Sequence, residues 1–176
     1  MVAHTPTDFT NTLEVTDEVA QFSAKVEAEV DSHIAKYPAD RKRSAILPIL
    51  FIVQRERGWV DPAGVNYVAQ KLSLQTSDVW EVGTFYSMIH MRPVGKYHIQ
   101  ICKTLSCKIM GEPKLTEHIC NRLGIHPGET TPDGKFTVSL VECLGSCGTA
   151  PMFQIGFDYY ENQTIEKVDA ILDSLE

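Results

Sequence analysis

The stretch Val141-Glu142-Cys143-Leu144-Gly145-Ser146-Cys147-Gly148-Thr149-Ala150-Pro151-Met152 (VECLGSCGTAPM) sets two cysteines in a glycine-bearing turn between two apolar, strand-like segments. Upstream, Cys102-Lys103-Thr104-Leu105-Ser106-Cys107 (CKTLSC) repeats the arrangement, a strand-like run ending in a cysteine with a second shortly after. Tyr97 to Cys102 alternates polar and apolar residues, as do Phe136, Val138 and Leu140, which is the period of a half-buried strand. Between these runs a helical pattern passes through Leu115, Ile119, Arg122 and Leu123 and is closed by Gly124. Two strands joined by a connection long enough to hold a helix favour a parallel crossover, and parallel neighbours end at the same sheet edge. The two cysteine turns then lie side by side, bringing Cys102, Cys107, Cys143 and Cys147 together.

Working outward, Thr131-Pro132-Asp133-Gly134 is turn chemistry leading into the second strand. A short strand from Met152 to Ile155 leads through Gly156 to Tyr159 and Tyr160, and a last helix starts at a Thr164 cap with Ile165, Val168, Ile171, Leu172 and Leu175 inward. The C-terminal half thus reads as an α/β unit: strand, helix, strand, strand, strand, helix. The N-terminal half has helical spacing throughout. Val15, Val19, Phe22, Val26, Val30, Ile34 and Tyr37 advance by threes and fours, with Thr16, Asp17 and Glu18 suiting a helix start and Pro38 ending it. Asp40 is expected to cap a second helix through the apolar run Ala45 to Val53, stopped by Gly58 and bent by Pro48. Asp61-Pro62 reads as N-cap and first position of a third helix to about Leu72. A fourth begins near Thr76 or Ser77 and carries Val79, Trp80, Val82, Phe85 and Tyr86. The aromatic-rich stretch Trp80 to Met91 reads as core, with a docking surface as the alternative. The expected organisation is a flexible N-terminus over residues 1–14, a helical bundle over 15–91 and an α/β domain over 92–176.

A 176-residue chain that is 43% hydrophobic and 22% charged has an ordinary globular composition. With a net charge of −7, nucleic-acid binding would need a segregated basic face, and the one dense basic cluster, Arg41-Lys42-Arg43, reads as a solvated helix turn. The longest apolar run, Ala45 to Val53, is far short of the roughly 20 residues of a membrane span. The N-terminus MVAHTPTDFT lacks the layout of a secretory signal or a transit peptide, so a reducing cytoplasm is the expected compartment. There, five cysteines point to metal or redox chemistry before a disulfide framework.

Four convergent thiols could bind zinc or an iron–sulfur cluster, and spacing alone leaves both open. Leu105, Leu144, Ile109, Met110, Ala150 and Met152 offer apolar surroundings, and Gly145 and Gly148 let backbone amides approach sulfur. Such solvent exclusion and hydrogen bonding tilt the balance to a cluster. Lys103 and Lys108 either favour its added negative charge or are simply solvated. Cys120, in mid-helix beside Ile119, reads as packing, and His118 two residues away lies on a different helical face. The remaining histidines have no ligand spacing. Neither GxGxxG nor GxxxxGK[ST] occurs, so any nucleotide or flavin must sit on a partner. A thioredoxin-type oxidoreductase is disfavoured, because its motif is C-x-x-C.

Around these cysteines the chain resembles the E subunits of NADH:quinone oxidoreductases, the peripheral [2Fe–2S] proteins of complex I, which share their pattern with thioredoxin-like ferredoxins. The resemblance runs from about Tyr37 to the C-terminus. It includes Arg43-Ser44-Ala45-Ile46-Leu47-Pro48, Gln54 with Gly58-Trp59, Val82-Gly83-Thr84-Phe85-Tyr86, Thr131-Pro132-Asp133-Gly134-Lys135-Phe136 and Glu142 to Met152. The resemblance implies a thioredoxin-like domain behind a helical bundle, with Cys102 and Cys107 on one iron of a [2Fe–2S] cluster and Cys143 and Cys147 on the other. It also implies a partner protein that carries FMN and NADH, further peripheral-arm subunits, and a place on the inner membrane face through that complex, or in the mitochondrial matrix if a transit peptide is removed. No activity is expected of the isolated chain. Lys103 stands where a small or hydroxyl residue is commoner in the family, and Gln163-Thr164-Ile165 replaces its frequent LTP. Small subunits of NAD-linked hydrogenases or formate dehydrogenases share the pattern, and a zinc-stabilised interaction module is the alternative from another class.

Overall fold

The computed structural model describes residues 16–175, which divide between Pro93 and Val94 into two compact units. Val15 and the expected flexible stretch over residues 1–14 lie outside the described residues.

The N-terminal unit is built from helices α1 (Ala24–Ile34), α2 (Ile46–Arg57), α3 (Pro62–Leu72) and α4 (Thr76–Phe85). The first starts later than the apolar spacing predicts. Ser23, not Thr16 to Glu18, is its N-cap, accepting from the Val26 amide. Tertiary contacts override the local signal: the Thr16 hydroxyl accepts from the Glu18 amide, Asn66 donates to the carbonyls of Thr16 and Glu18, and Ala20 N–H donates to Ala63 O. These bonds tie residues 16–20 to α3 outside any helix. Asp40 does not cap α2 either. A 3₁₀ segment, Ala39–Ala45, intervenes with non-helical backbone at Arg41. Pro48 is the third residue of α2, where its missing N–H would have had no intrahelical partner, so no bend is required there. Gly58 ends α2 in the left-handed conformation, and Asp61 caps α3 by accepting from the Gly64 amide, with Pro62 at the first position. Val30, Ile49, Leu50, Val53, Val65, Val68 and Val79 form the fully buried centre of the bundle.

The C-terminal unit carries a four-stranded sheet in the order β2-β1-β3-β4, from β1 (Tyr97–Cys102), β2 (Phe136–Val141), β3 (Phe153–Ile155) and β4 (Asp158–Tyr160). The first two strands are parallel, with Cys102 level with Val141, and the rest of the sheet is antiparallel. The crossover carries a short helix α5 (Leu105–Ile109) and then α6 (Glu112–Leu123), which ends at left-handed Gly124. The final helix α7 (Ile165–Ser174) is capped by Thr164. Ile99, Ile101, Val138 and Phe153 pack with Leu115 and Ile119 of α6 and with Val168 and Leu172 of α7. Leu140, expected inward, is exposed, while its neighbour Val141 at the end of β2 is buried.

Candidate metal centre

The parallel pairing delivers both cysteine turns to one end of the sheet. Lys103 N–H donates to Val141 O at 3.0 Å, extending the β1–β2 ladder one step past Cys102, and Cys102 N–H donates to Met152 O at 3.3 Å. Cys102 and Cys107 are buried at 2% and 1% exposure in a small cluster with Ala150 and Met152, against which Leu144 packs. Cys143 and Cys147 are exposed, their sulfurs 3.9 Å apart. Two thiolates bound at about 2.3 Å to one tetrahedral metal stand about 3.8 Å apart, so this pair is already spaced as two ligands of one ion.

The two cysteine loops also meet each other. Burial opposes ionisation of Cys102, yet the hydroxyl and amide of Thr104, the Leu144 amide and the Cys107 thiol together hold it below the ordinary thiol range. The Leu144 amide belongs to the second cysteine loop. Burial pushes Cys107 up, as does its place beside Cys102 and, more weakly, the charge of Cys147, while the Met152 amide acts the other way. The Cys102 thiol is therefore the more readily ionised of the two, and a bound cation would favour the thiolate at both. Further donors approach sulfur from Gly145 N–H to Cys143 at 3.4 Å and, for Cys102, the Thr104 hydroxyl oxygen lies at 3.3 Å. Backbone amides aimed at sulfur suit anionic thiolates, so the residues present fit an iron–sulfur cluster. Among the described residues, no group of three or more His, Cys, Asp or Glu side chains gathers tightly enough to hold a single metal ion.

Half of the expected apolar wrapping is present. Ala150 and Met152 are buried and Leu144 is half-buried, but Leu105, Ile109 and Met110 are 73%, 75% and 60% exposed. The five-residue α5 turns them outward while Cys107 points in. Lys103 pairs with Glu142 at 3.0 Å, so its charge is met locally. Cys120 lies in the core of the sheet domain, with burial and then the Glu129 carboxylate raising its thiol, and His118 bonds to Asp169 instead. In the stretch Trp80 to Met91, Ile89 is buried but Phe85 is 79% exposed, in edge-to-face contact with Tyr86, so the stretch is only partly core.

The sequence reading missed a polar network under the second loop. Tyr159 O–H donates to Leu144 O at 2.7 Å, and the hydroxyls of Ser146 and Thr149 both bond to the Glu161 carboxylate. Hydroxyl residues flanking Cys147 were the available signal; their acceptor, 12 residues beyond Thr149, was not.

Residues 30–176 match the family model described as thioredoxin-like [2Fe-2S] ferredoxin. The chain is 45% identical over 146 residues to the NADH-quinone oxidoreductase E 2 subunit of Rhizobium meliloti, covering 83% of this chain and 86% of that protein. It is 44% identical over 147 residues to NADH-quinone oxidoreductase subunit 2 of Thermus thermophilus, covering 83% and 81%. To the NADH-quinone oxidoreductase E subunit of Rickettsia bellii it is 46% identical over 143 residues, covering 81% and 86%. Among solved structures, an NAD+-reducing [NiFe]-hydrogenase in the air-oxidized state matches with a TM-score of 0.64 at 21% identity, over 72% of this chain and 22% of that one. That likeness is one of fold alone.

Proposed function

The chain belongs to the thioredoxin-like [2Fe–2S] ferredoxin family, and from that membership we propose that it is the electron-transfer E subunit of an NADH:quinone oxidoreductase. Cys102 and Cys107 hold one iron of a [2Fe–2S] cluster and Cys143 and Cys147 hold the other. When bound, the cluster takes up and passes on one electron at a time. The amides of Leu144 and Met152 and the hydroxyl of Thr104 lend positive edges to Cys102 and Cys107, which offsets charge gained there. Met152 and Ala150 keep water from the buried pair. Cys143 and Cys147 face outward, and that open side would face the partner that carries FMN and NADH. The chain sits with other peripheral-arm subunits at the cytoplasmic face of the inner membrane or, after loss of a transit peptide, in the matrix. None of its helices is long and apolar enough to cross a membrane, among the described residues.

The observation that supports this reading best is the delivery of two thiol pairs, on loops 36 residues apart (143 − 107), to one sheet edge. The full chain, purified without oxygen, is expected to carry iron and acid-labile sulfide in equal amounts, to absorb visible light, and to give an EPR signal on reduction. A colourless protein with one zinc per chain would overturn the reading. Replacing any of the four cysteines by serine should abolish the colour or sharply weaken it, whereas Cys120→Ser should not. Small subunits of NAD-linked hydrogenases or formate dehydrogenases remain the second reading of the host, and the proteins that co-purify with the chain decide it.

A further inference from the structure

The two thiol pairs are held by different means. Cys102 and Cys107 are fixed by packing against Ala150 and Met152, whereas Cys143 and Cys147 are exposed, with no core around them. Their loop is instead bonded to the segment after β3. Tyr159 in β4 donates to Leu144 O at 2.7 Å, one residue after Cys143. Glu161, just past the end of β4, accepts from Ser146 and Thr149, which flank Cys147 and Gly148. The two hydroxyl oxygens stand 2.6 Å apart. Each carries one proton, so an acceptor-only carboxylate is the partner that lets both be used at once. Asn162 N–H adds a bond to Thr149 O at 2.7 Å.

We propose that Tyr159 and Glu161 are positioning residues that hold the exposed Cys143–Cys147 loop in the geometry its thiolates need to take up metal. The inference rests on the ligand assignment above. Ligands oriented before metal arrives lose less freedom on binding, and supports of this kind are worth about 10–100-fold in metal affinity. Glu161→Gln keeps a side-chain oxygen able to accept from both hydroxyls; Glu161→Ala removes it.

The test uses full-length wild-type, Glu161→Ala, Glu161→Gln and Tyr159→Phe chains, each loaded with iron and sulfide without oxygen. Their visible absorption is followed in excess iron chelator, after circular dichroism of the metal-free chains has established folding. Wild-type and Glu161→Gln should bleach slowly, Glu161→Ala about tenfold faster, and Tyr159→Phe between them. If Glu161→Ala does not fold, the double variant Ser146→Ala/Thr149→Ala, which removes the donors in place of the acceptor, is expected to bleach as Glu161→Ala would. Equal bleaching of wild-type and the Ala variant overturns the inference, and so does failure of Gln to rescue. A wild-type chain that takes up no cluster refutes the ligand assignment itself, a result read before any variant is compared.

Discussion

Met152 and Met110 are the same residue in opposite settings near the cysteines, and truncating each to alanine separates packing from chemistry. Met152 is fully buried against Cys102, Cys107 and Ala150, and Met110 is 60% exposed. Both backbone contacts of Met152, its carbonyl to the Cys102 amide and its amide toward the Cys107 sulfur, survive in Met152→Ala. What is lost is the thioether chain and the volume it fills. Buried Met→Ala changes cost about 2–5 kcal/mol from lost transfer energy and residual cavity, and about 3 is a fair centre for a site with backbone and sulfur on several sides. Met110→Ala should cost less than about 0.5 kcal/mol, as exposed substitutions do. With a urea slope of about 2 kcal/mol/M, the midpoint should fall by about 1.5 M for Met152→Ala and by no more than about 0.25 M for Met110→Ala. The assay is urea unfolding of the metal-free chains by circular dichroism, so that metal affinity does not enter the result. Equal shifts for the two variants would refute the claim that Met152 is the packed floor of the site.

Alkylation of the metal-free chain, read by mass spectrometry, should modify Cys143 and Cys147 first and spare Cys102, Cys107 and Cys120, following their exposure; early labelling of Cys107 would contradict its burial. The Asp169 carboxyl is held below the usual range by its hydrogen bond to His118, against some burial, and by Arg122. Its contribution is therefore complete above the ordinary aspartate value, about 3.9, and is lost as pH falls through the lower folded value. Wild-type should be more stable than Asp169→Asn at pH 6, and the gap should close on acidification below about pH 4; a gap that widens there would be inconsistent with this sign. Gly95→Ala would place a Cβ 2.9 Å from the backbone N and C of Phe136, which cannot move without disturbing β2. A loss of about 1–3 kcal/mol in thermal or urea unfolding is expected, and a neutral result would show that the β1–β2 entrance is looser than described.

The sheet domain was legible in the sequence because its signals are local and its one long-range inference follows from connection length. Alternation in Tyr97 to Cys102, the Gly124 stop and the Thr131 to Gly134 turn locate the elements, and a helical crossover makes β1 and β2 parallel. The convergence of the thiols follows from that. What was hidden depends on partners far along the chain. The start of α1 is decided by Asn66, about 50 residues downstream, and the helix break before α2 falls at Arg41, where no proline or glycine announces it. Leu105, Ile109 and Met110 have the composition of a lining, but a five-residue helix can turn only one face inward, and Cys107 takes it. The Glu161 brace joins residues on two different loops, which no periodicity encodes.

The ladder between β1 and β2 is made of backbone hydrogen bonds, and a bound cluster would tie together the two loops that leave it. A tie from Cys102 to Cys143 spans 41 residues (143 − 102). By the loop-closure relation used for disulfides, such a cross-link takes about 4 kcal/mol of freedom from the unfolded chain. The inorganic group is then also a fastener: the loaded protein should outlast the empty one on heating, and oxidative loss of iron should loosen this sheet end even where every hydrogen bond of the ladder is intact.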